Sequence, residues 1–472
     1  MNYQPSIGIE THVQLATKSK LFCPCDNNAR EAKPNTLVCP VCMGLPGTLP
    51  VLNHQAIQLA LRVGMALNGQ IAATTKFDRK NYFYPDLPKG YQISQFDQPI
   101  VGQGSVEFEL AGQRVKVGIT RAHLEEDAGK LTHPEGADYS LVDLNRAGTP
   151  LMEIVSEPDL HSAAEAKAYA QEIYNIVRYA KVSDADLYHG NMRFDVNVSL
   201  AAEGSQQLGT RTETKNLNSF RAVERAVAYE IKRQTELLEK GQKIIQETRG
   251  WDEAKGQTIS QRSKEEAHDY RYFPEPDLPP IVVTKEMLAE AKQDLMTPNN
   301  ARQELSKLGL ADTRREVLVN SPEAVLGYLN DVSNQLFKST EDQALVALTL
   351  EQDQKLREAY GSLNHNQKQH LAKLAEAVSK KTISATMFKQ AINPVVLGGE
   401  DVGLYLKPQV SDQTQLEVIA DQVIKANPQA VADYHAGQER AHKFLVGQVM
   451  KASAGQANPT MVNEILATKL KA

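Results

Sequence analysis

Ser6-Ile7-Gly8-Ile9-Glu10-Thr11-His12-Val13-Gln14-Leu15 is the stretch on which the fold turns. Ile7, Ile9, Thr11, Val13 and Leu15 alternate with Gly8, Glu10, His12 and Gln14. That period of two predicts a strand with one apolar and one polar face. Residues two apart on a strand lie roughly 7 Å apart on the same side. Glu10 and His12 therefore share the polar face. A carboxylate beside an imidazole on a rigid element suits a hard cation or proton transfer. An ordinary half-solvated strand reads the same way, so the rest of the chain must decide.

The chain has 472 residues, enough for about three domains. It is 41% apolar and 23% charged, the balance of a water-soluble globular protein. A net charge of −6 excludes a global basic field, so any nucleic acid must be held by local patches. The sequence shows no basic-then-apolar leader and no apolar run of membrane-spanning length. The cytoplasm is the expected compartment, with no membrane partner.

All four cysteines fall in one window, Cys23-Pro24-Cys25 and Cys39-Pro40-Val41-Cys42. Thirteen residues separate the two pairs. In a reducing compartment this spacing favours one tetrahedral thiolate site for structural zinc over disulfides, with free thiols as the alternative. Four protein thiolates leave no open coordination position. Such a site braces a loop and does no chemistry.

Farther along, Asn53 is a helix cap, Ile57 to Leu67 follow helical spacing, and Gly69 is placed to close the helix. Lys76 to Asp86 interleaves cations with aromatics, which suits stacking and phosphate contact, or a loop packed on the core. Val106 to Ile119 reads as a hairpin turning at Ala111-Gly112-Gln113. Its second strand continues through Arg121, His123, Glu125 and Asp127, so one face passes from apolar to ionisable. Strands are expected over 140–145 and 151–156, the second carrying Glu153. Ser162 and Glu165 form a capping box opening a helix to about Tyr179. Met192 to Leu200 and Thr210 to Asn216 alternate again, carrying Arg193 and Asp195, then Arg211, Glu213 and Lys215. A helix from about Phe220 to Lys240 ends at Gly241. From about Lys285 the pattern is helical, with a boundary at Val395 to Asp401. Residues 401–472 hold seven acids and seven Lys or Arg, so the tail makes no electrostatic case for RNA by itself.

The expected fold class is therefore α+β. A cradle domain, residues 1–290, carries a mainly antiparallel sheet and the cysteine loop 19–45. An all-α helical domain, 291–400, and a helical tail domain, 401–472, follow. If the strands form one curved sheet, its open face gathers Glu10, His12, Glu125, Glu153, Asp195 and Glu213. So many carboxylates repel one another unless cations neutralise them, and magnesium is the natural choice. Arg193, Arg211 and Lys215 could instead engage some of them in ion pairs. No phosphate loop, dinucleotide fingerprint, zinc-protease motif or nucleophile elbow occurs. An enzyme built this way works by positioning and metal electrostatics.

Six stretches together resemble one family: Ile7 to His12; Phe77 to Asp86 with Tyr91 to Pro99; His123 to Lys130; Ser140 to Asp159; Lys215 to Ser219; and Asp269 to Asp277. The family is that of the B subunits of the bacterial aspartyl/glutamyl-tRNA amidotransferases, and the resemblance covers essentially the whole chain. It implies that ATP phosphorylates the side-chain carboxylate of a mischarged Asp-tRNA(Asn) or Glu-tRNA(Gln). Ammonia released from glutamine by a partner glutaminase subunit then forms the amide. A third subunit straps the other two together, making a heterotrimer. The resemblance further implies catalytic roles for Glu10, His12, Glu125 and Lys80, and magnesium ligands among Glu10, His12, Glu125, Glu153, Asp195 and Glu213. Arg79, Tyr82, Tyr84, Arg193 and Lys215 would then lie along the nucleotide or ammonia path. Zinc would sit on Cys23, Cys25, Cys39 and Cys42, and the tail would hold tRNA. Glu10 and His12 should meet Glu125 around one magnesium. The alternative is a tRNA-binding scaffold with a structural metal and no catalysis of its own.

Overall fold

The computed structural model describes residues 2–263, 269–406, 413–453, 457 and 459–470. His268, and Gly455, Gln456 and Asn458 of the tail, lie outside them. Two compact units result, residues 1–298 and residues 299–472.

In the first unit the elements run β1 (Tyr3–Gln14), α1 (His54–Ala66), β2 (Thr74–Thr75), β3 (Asp78–Asn81), β4 (Tyr91–Ser94) and β5 (Gly104–Leu110). They continue with β6 (Gln113–Glu126), β7 (Lys130–Thr132), β8 (Leu141–Asp143), β9 (Pro150–Ser156), α2 (Ala163–Tyr179) and β10 (Met192–Ala202). Then come β11 (Thr212–Leu217), α3 (Phe220–Glu239), β12 (Glu247–Asp252), β13 (Gln257–Ser263), β14 (Phe273–Pro274), β15 (Ile281–Val282) and α4 (Lys285–Lys292). Eleven strands form one sheet in the order β13-β12-β11-β10-β1-β9-β6-β4-β3-β14, with β5 on β6. Among the described residues only the β11–β12 pair is parallel.

β1 lies between β10 and β9 and behaves as its alternation predicts. Ile7, Ile9, Thr11 and Val13 are buried, while Ser6, Glu10, His12 and Gln14 remain partly open. The buried face joins Val196, Val198, Ile154 and Leu124, packed against Ile57 and Leu61 of α1 and Ile173 and Val177 of α2. Each such side chain contributes about 2 kcal/mol by leaving water. Helices thus cover one face of the sheet and leave the other open.

The caps and turns refine the sequence reading. Asn53 accepts from Gln55 N as the cap of α1. The left-handed residue that ends this helix is Asn68 (φ 51°), not Gly69. Gly69 is needed for closeness, since a Cβ there would stand 2.4 Å from Val101 Cγ1. The hairpin turns at Ala111 and Gly112, both at positive φ. At α2, Ser162 accepts from Glu165 N, but the Glu165 carboxylate reaches back to His161 N rather than to Ser162. Lys76 to Asp86 is not all loop: Asp78–Asn81 enters the sheet between β4 and β14. Pairing overrides the low strand propensity of Asp-Arg-Lys-Asn.

In the second unit every element within residues 299–472 is helical among the described residues. Ser339 with Asp342, and Asn364 with Gln367, complete capping boxes. Val395 and Val396 are buried in a wide helical turn, Ile392–Leu397, and do not form a solvated linker. Leu416, Leu445, Val449 and Leu466 centre a hydrophobic cluster in the last helices.

Candidate functional site

The open face of the large sheet carries the ionisable residues. Across β10, β1, β9 and β6, Arg193, His12, Glu153 and His123 stand opposite one another in register. His12 Nε2 lies 3.5 Å and His123 Nε2 3.7 Å from the same Glu153 Oε2. Glu125 is two residues beyond His123 on β6. His12, Glu125 and Glu153 each offer a donor atom within 4.8 Å of the other two.

Glu10 does not join this group, contrary to expectation. Register is the reason. Glu10 lies opposite Asp195 and Val155, whereas Glu125 lies opposite Leu151, which faces Gln14. The row through His12 separates the two, and Glu153 occupies the place expected of Glu10. Glu10 instead faces a second acidic nest with Asp195 and Glu213. There Lys215 Nζ lies 3.0 Å from Glu213 and 3.5 Å from Asp195. Asn197 donates to Glu10 Oε1 (3.1 Å), and Asp195 accepts from Asn216 N (2.7 Å).

The electrostatics differ between neighbours. Burial, then Glu153, Glu213 and Asp195, push the Glu10 carboxyl above its ordinary value. Burial and Glu153 likewise raise Glu125. Glu153 goes the other way: against burial, His123, His12 and Lys80 hold it ionised. Burial favours neutral His12, but its bond to Glu153 carries its pKa up. Burial, with Arg121, Lys80 and His12, drops His123 to about 4. The Lys80 ammonium resists burial because Glu125, Tyr272 and Glu153 surround it. Its Nζ sits 4.9 Å over the Tyr270 ring and 5.9 Å over Tyr82.

Two observations fit a divalent cation here. Buried Glu125 and half-buried Glu153 bring two carboxyl groups within coordination reach, and carboxylate oxygens suit magnesium. The Nδ1 atoms of His12 and His123 are buried without a hydrogen-bond partner.

Other expected residues have different company. Arg79 is bound bidentately to Glu275 (2.7 and 2.9 Å) and lies over Tyr91 (4.3 Å). It lines a separate cavity with Lys89 and Glu126. Arg193 pairs with Asp127 at 3.5 Å, and Arg146 and Gln14 bind the same carboxylate. Tyr82 faces Tyr270 edge-on (5.9 Å), whereas Tyr84 is exposed in a surface hollow with Phe83 and Pro85.

Cys23, Cys25, Cys39 and Cys42 bring their sulfurs within 4.8 Å of one another, a group able to hold a metal ion. The Cys23 hydrogen bond, the Cys39 N–H and Lys20 hold the Cys42 thiol down at about 4 against burial. Lys20 is fully buried, with Nζ 3.7 Å from Cys42 Sγ and 2.8 Å from Leu37 O.

The sequence reading assigned no role to His123 or Lys20. His123 was legible on the polar row between Arg121 and Glu125. Lys20 carried one signal, a cation three residues before the first cysteine.

An antiparallel sheet with an acidic open face, followed by a helical unit, agrees with two family models. One, described as "GatB/GatE catalytic domain", matches residues 5–289, and one described as "GatB domain" matches residues 331–470. The chain is 45% identical over 480 residues to the B subunit of the aspartyl/glutamyl-tRNA(Asn/Gln) amidotransferase of Caldicellulosiruptor saccharolyticus, covering 100% of both chains. It is 46% identical over 485 residues to the corresponding chain of Caldanaerobacter subterraneus, again with 100% of both covered. For Carboxydothermus hydrogenoformans the identity is 44%, with 99% of each covered. The chain belongs to this family of amidotransferase B subunits, and is thus one component of an enzyme. Among the described residues no helix is long and apolar enough to cross a membrane.

Proposed function

We propose that this chain carries the ATP-dependent half of tRNA amidation, activating the side-chain carboxylate of Asp-tRNA(Asn), Glu-tRNA(Gln) or both. The observation that supports this most directly is the convergence of His12, Glu125 and Glu153 beside Lys80 on the open face. A free carboxylate is a poor electrophile. Its oxygen attacks the terminal phosphorus of ATP, the bond to the bridging oxygen breaks, and ADP leaves. Ammonia then attacks the acyl carbon, phosphate leaves, and the nitrogen loses a proton.

Glu125 and Glu153, with His12 alongside, would hold magnesium. When bound, the ion offsets charge on the transferring phosphoryl group. Lys80, held cationic, faces the same place and attracts phosphate oxygens. Glu10, Asp195, Glu213 and Lys215 form a mixed-charge margin that orients the phosphate arm. Arg79 and Arg193 are committed to carboxylates and act by holding strands in place. The cysteine group would hold zinc and brace the loop over 19–45. A glutaminase partner would supply ammonia and a third subunit would strap the heterotrimer. The helical unit and tail would hold tRNA, in the cytoplasm.

The test is ATP consumption by the chain assembled with its glutaminase partner. Hydrolysis is expected only with mischarged tRNA and magnesium present. Glu10→Gln is expected to abolish amide formation while glutamine hydrolysis persists. Normal amidation by this variant would leave the scaffold reading standing. Supplying both mischarged tRNAs identifies the substrate.

A further inference from the structure

The ring of Phe96 lies flat on the ring of Tyr272, with centroids 3.8 Å apart and planes 6° from parallel. Among the described residues of this unit the other ring pairs meet edge-on or tilted. A parallel sandwich with so little offset is the arrangement that ring quadrupoles favour least. Tyr272 covers one face of Phe96, yet Phe96 keeps 41% of its surface exposed. The stack therefore presents a free end to solvent.

Its place is the border of the candidate metal group. Ser94 at the end of β4 stands opposite Glu125 of β6, and Gln95 N donates to Leu124 O (3.0 Å). Phe96 follows directly. Arg121 Nη1 donates to its carbonyl (3.1 Å). Arg121, His123 and Glu125 succeed one another on the open face of β6, about 7 Å per step. The inner ring reaches the group from the other side. Burial lifts the Tyr272 hydroxyl above its ordinary value, and Lys80, Glu125 and Glu153 are near enough to act on it.

The stack is not needed to fasten the chain. Asn81 N donates to Tyr270 O (3.0 Å), Phe273 and Pro274 pair with Arg79 and Asp78, and Glu275 N donates to Phe77 O (2.9 Å). Phe96 N donates to Asp78 Oδ2 (3.1 Å). Both rings are thus set by backbone already held, which fixes the platform before anything lands on it.

Chemistry selects an occupant. The reading above puts the reacting carboxylate among Lys80, Glu125 and Glu153. A handful of covalent bonds join that carboxylate, through the ester, to the last ribose of the tRNA. The base on that ribose must come to rest at the border of the group. Single-stranded RNA ends are taken by stacking on aromatic faces, with cations on the backbone. Phe96 offers the face. Arg121 makes no ion pair among the described residues, so its remaining N–H groups can serve ribose or phosphate oxygens.

We propose that the free face of Phe96 seats the terminal base of the mischarged tRNA, with Arg121 on its ribose and phosphate. Phe96, Tyr272 and Arg121 are then positioning residues, setting how far the aminoacyl carboxylate enters the group. The inference rests on the amidation reading above and adds the seat of the RNA end.

The test uses the chain assembled with its glutaminase partner and tRNA carrying 2-aminopurine as its 3′-terminal base, a probe whose fluorescence is quenched by stacking. Binding to the wild-type complex is expected to quench it. Phe96→Ala, at a partly exposed position, is expected to lose the quench and to raise KM for mischarged tRNA about tenfold, with glutamine hydrolysis unchanged. Phe96→Tyr keeps a ring and is expected to keep both values. Quenching that survives in Phe96→Ala overturns the proposal, as does an equal loss in Phe96→Tyr. A fall in kcat alone, with KM and quench unchanged, overturns it too and makes the stack a structural contact. Wild-type complex that binds the labelled tRNA without changing its fluorescence overturns the seat alone. Wild-type complex that binds no tRNA overturns the functional reading itself.

Discussion

His12 and His123 address one oxygen of Glu153, at 3.5 and 3.7 Å, from the two strands that flank it. The sheet thereby places a carboxylate between two imidazoles, with Glu125 near by. Glu153, not Glu10, is the centre of the candidate metal group.

Glu153→Gln should therefore be the more damaging change for cation binding. It removes a hard oxygen ligand and the carboxylate partner of His12 Nε2. Manganese affinity, read by paramagnetic resonance on the full chain, is expected to fall about a hundredfold for Glu153→Gln and distinctly less for Glu10→Gln. Equal losses would return Glu10 to the set of direct ligands.

A second prediction concerns stability and pH. Glu230 on α3 is fully buried and accepts from Thr212 (2.8 Å) and from Arg233 (2.9 and 2.7 Å), with Arg249 at 3.1 Å. Burial opposes its charge, but Arg233, Thr258 and Thr212 hold its pKa below the ordinary 4.5. The ionised form is thus favoured by folding, fully so above 4.5, and the benefit is lost as pH falls below that value. Glu230→Gln is expected to cost about 3 kcal/mol at neutral pH. The gap should narrow below 4.5. Trp251, the one tryptophan, lies on neighbouring β12 and reports urea unfolding of this unit by fluorescence. A pH-independent gap would show that the charge on Glu230 is not what stabilises.

The cysteine group gives a third. Metal analysis of the purified chain should find about one zinc, removed by Cys42→Ser. Lys20 is buried with its Nζ 3.7 Å from Cys42 Sγ, so Lys20→Met should weaken zinc about tenfold in a chelator competition. Unchanged affinity would reduce Lys20 to a hydrogen-bond partner of Leu37 O.

Much of this arrangement was legible in the sequence where one face of a strand is buried. Alternation in Ile7 to Leu15 and in Met192 to Leu200 named the open-face residues, because core burial fixes which parity points inward. The polar continuation of β6 named Glu125. What was hidden was register. Whether Glu10 or Glu153 shares a row with His12 depends on how β1 aligns with β9, more than 130 positions away in sequence. No local pattern carries that. Lys20 was hidden for another reason: nothing local marks a lysine as fully buried. The exchange of roles between Asn68 and Gly69 reflects two uses of small residues, left-handed backbone and close approach, that look alike in sequence.

The pairing of Tyr3 with Ala202 has a consequence for synthesis. β1 is the central strand of the site, yet its partner β10 is synthesised some two hundred residues after it. Until then a long strand with an apolar face waits with an unpaired edge, the kind of segment that aggregates or recruits chaperones. The residues that bring His12 opposite Glu153 and Arg193 therefore also set a minimum delay in biogenesis. Variants that weaken β10 should be lost as newly made chains before they are lost as catalysts.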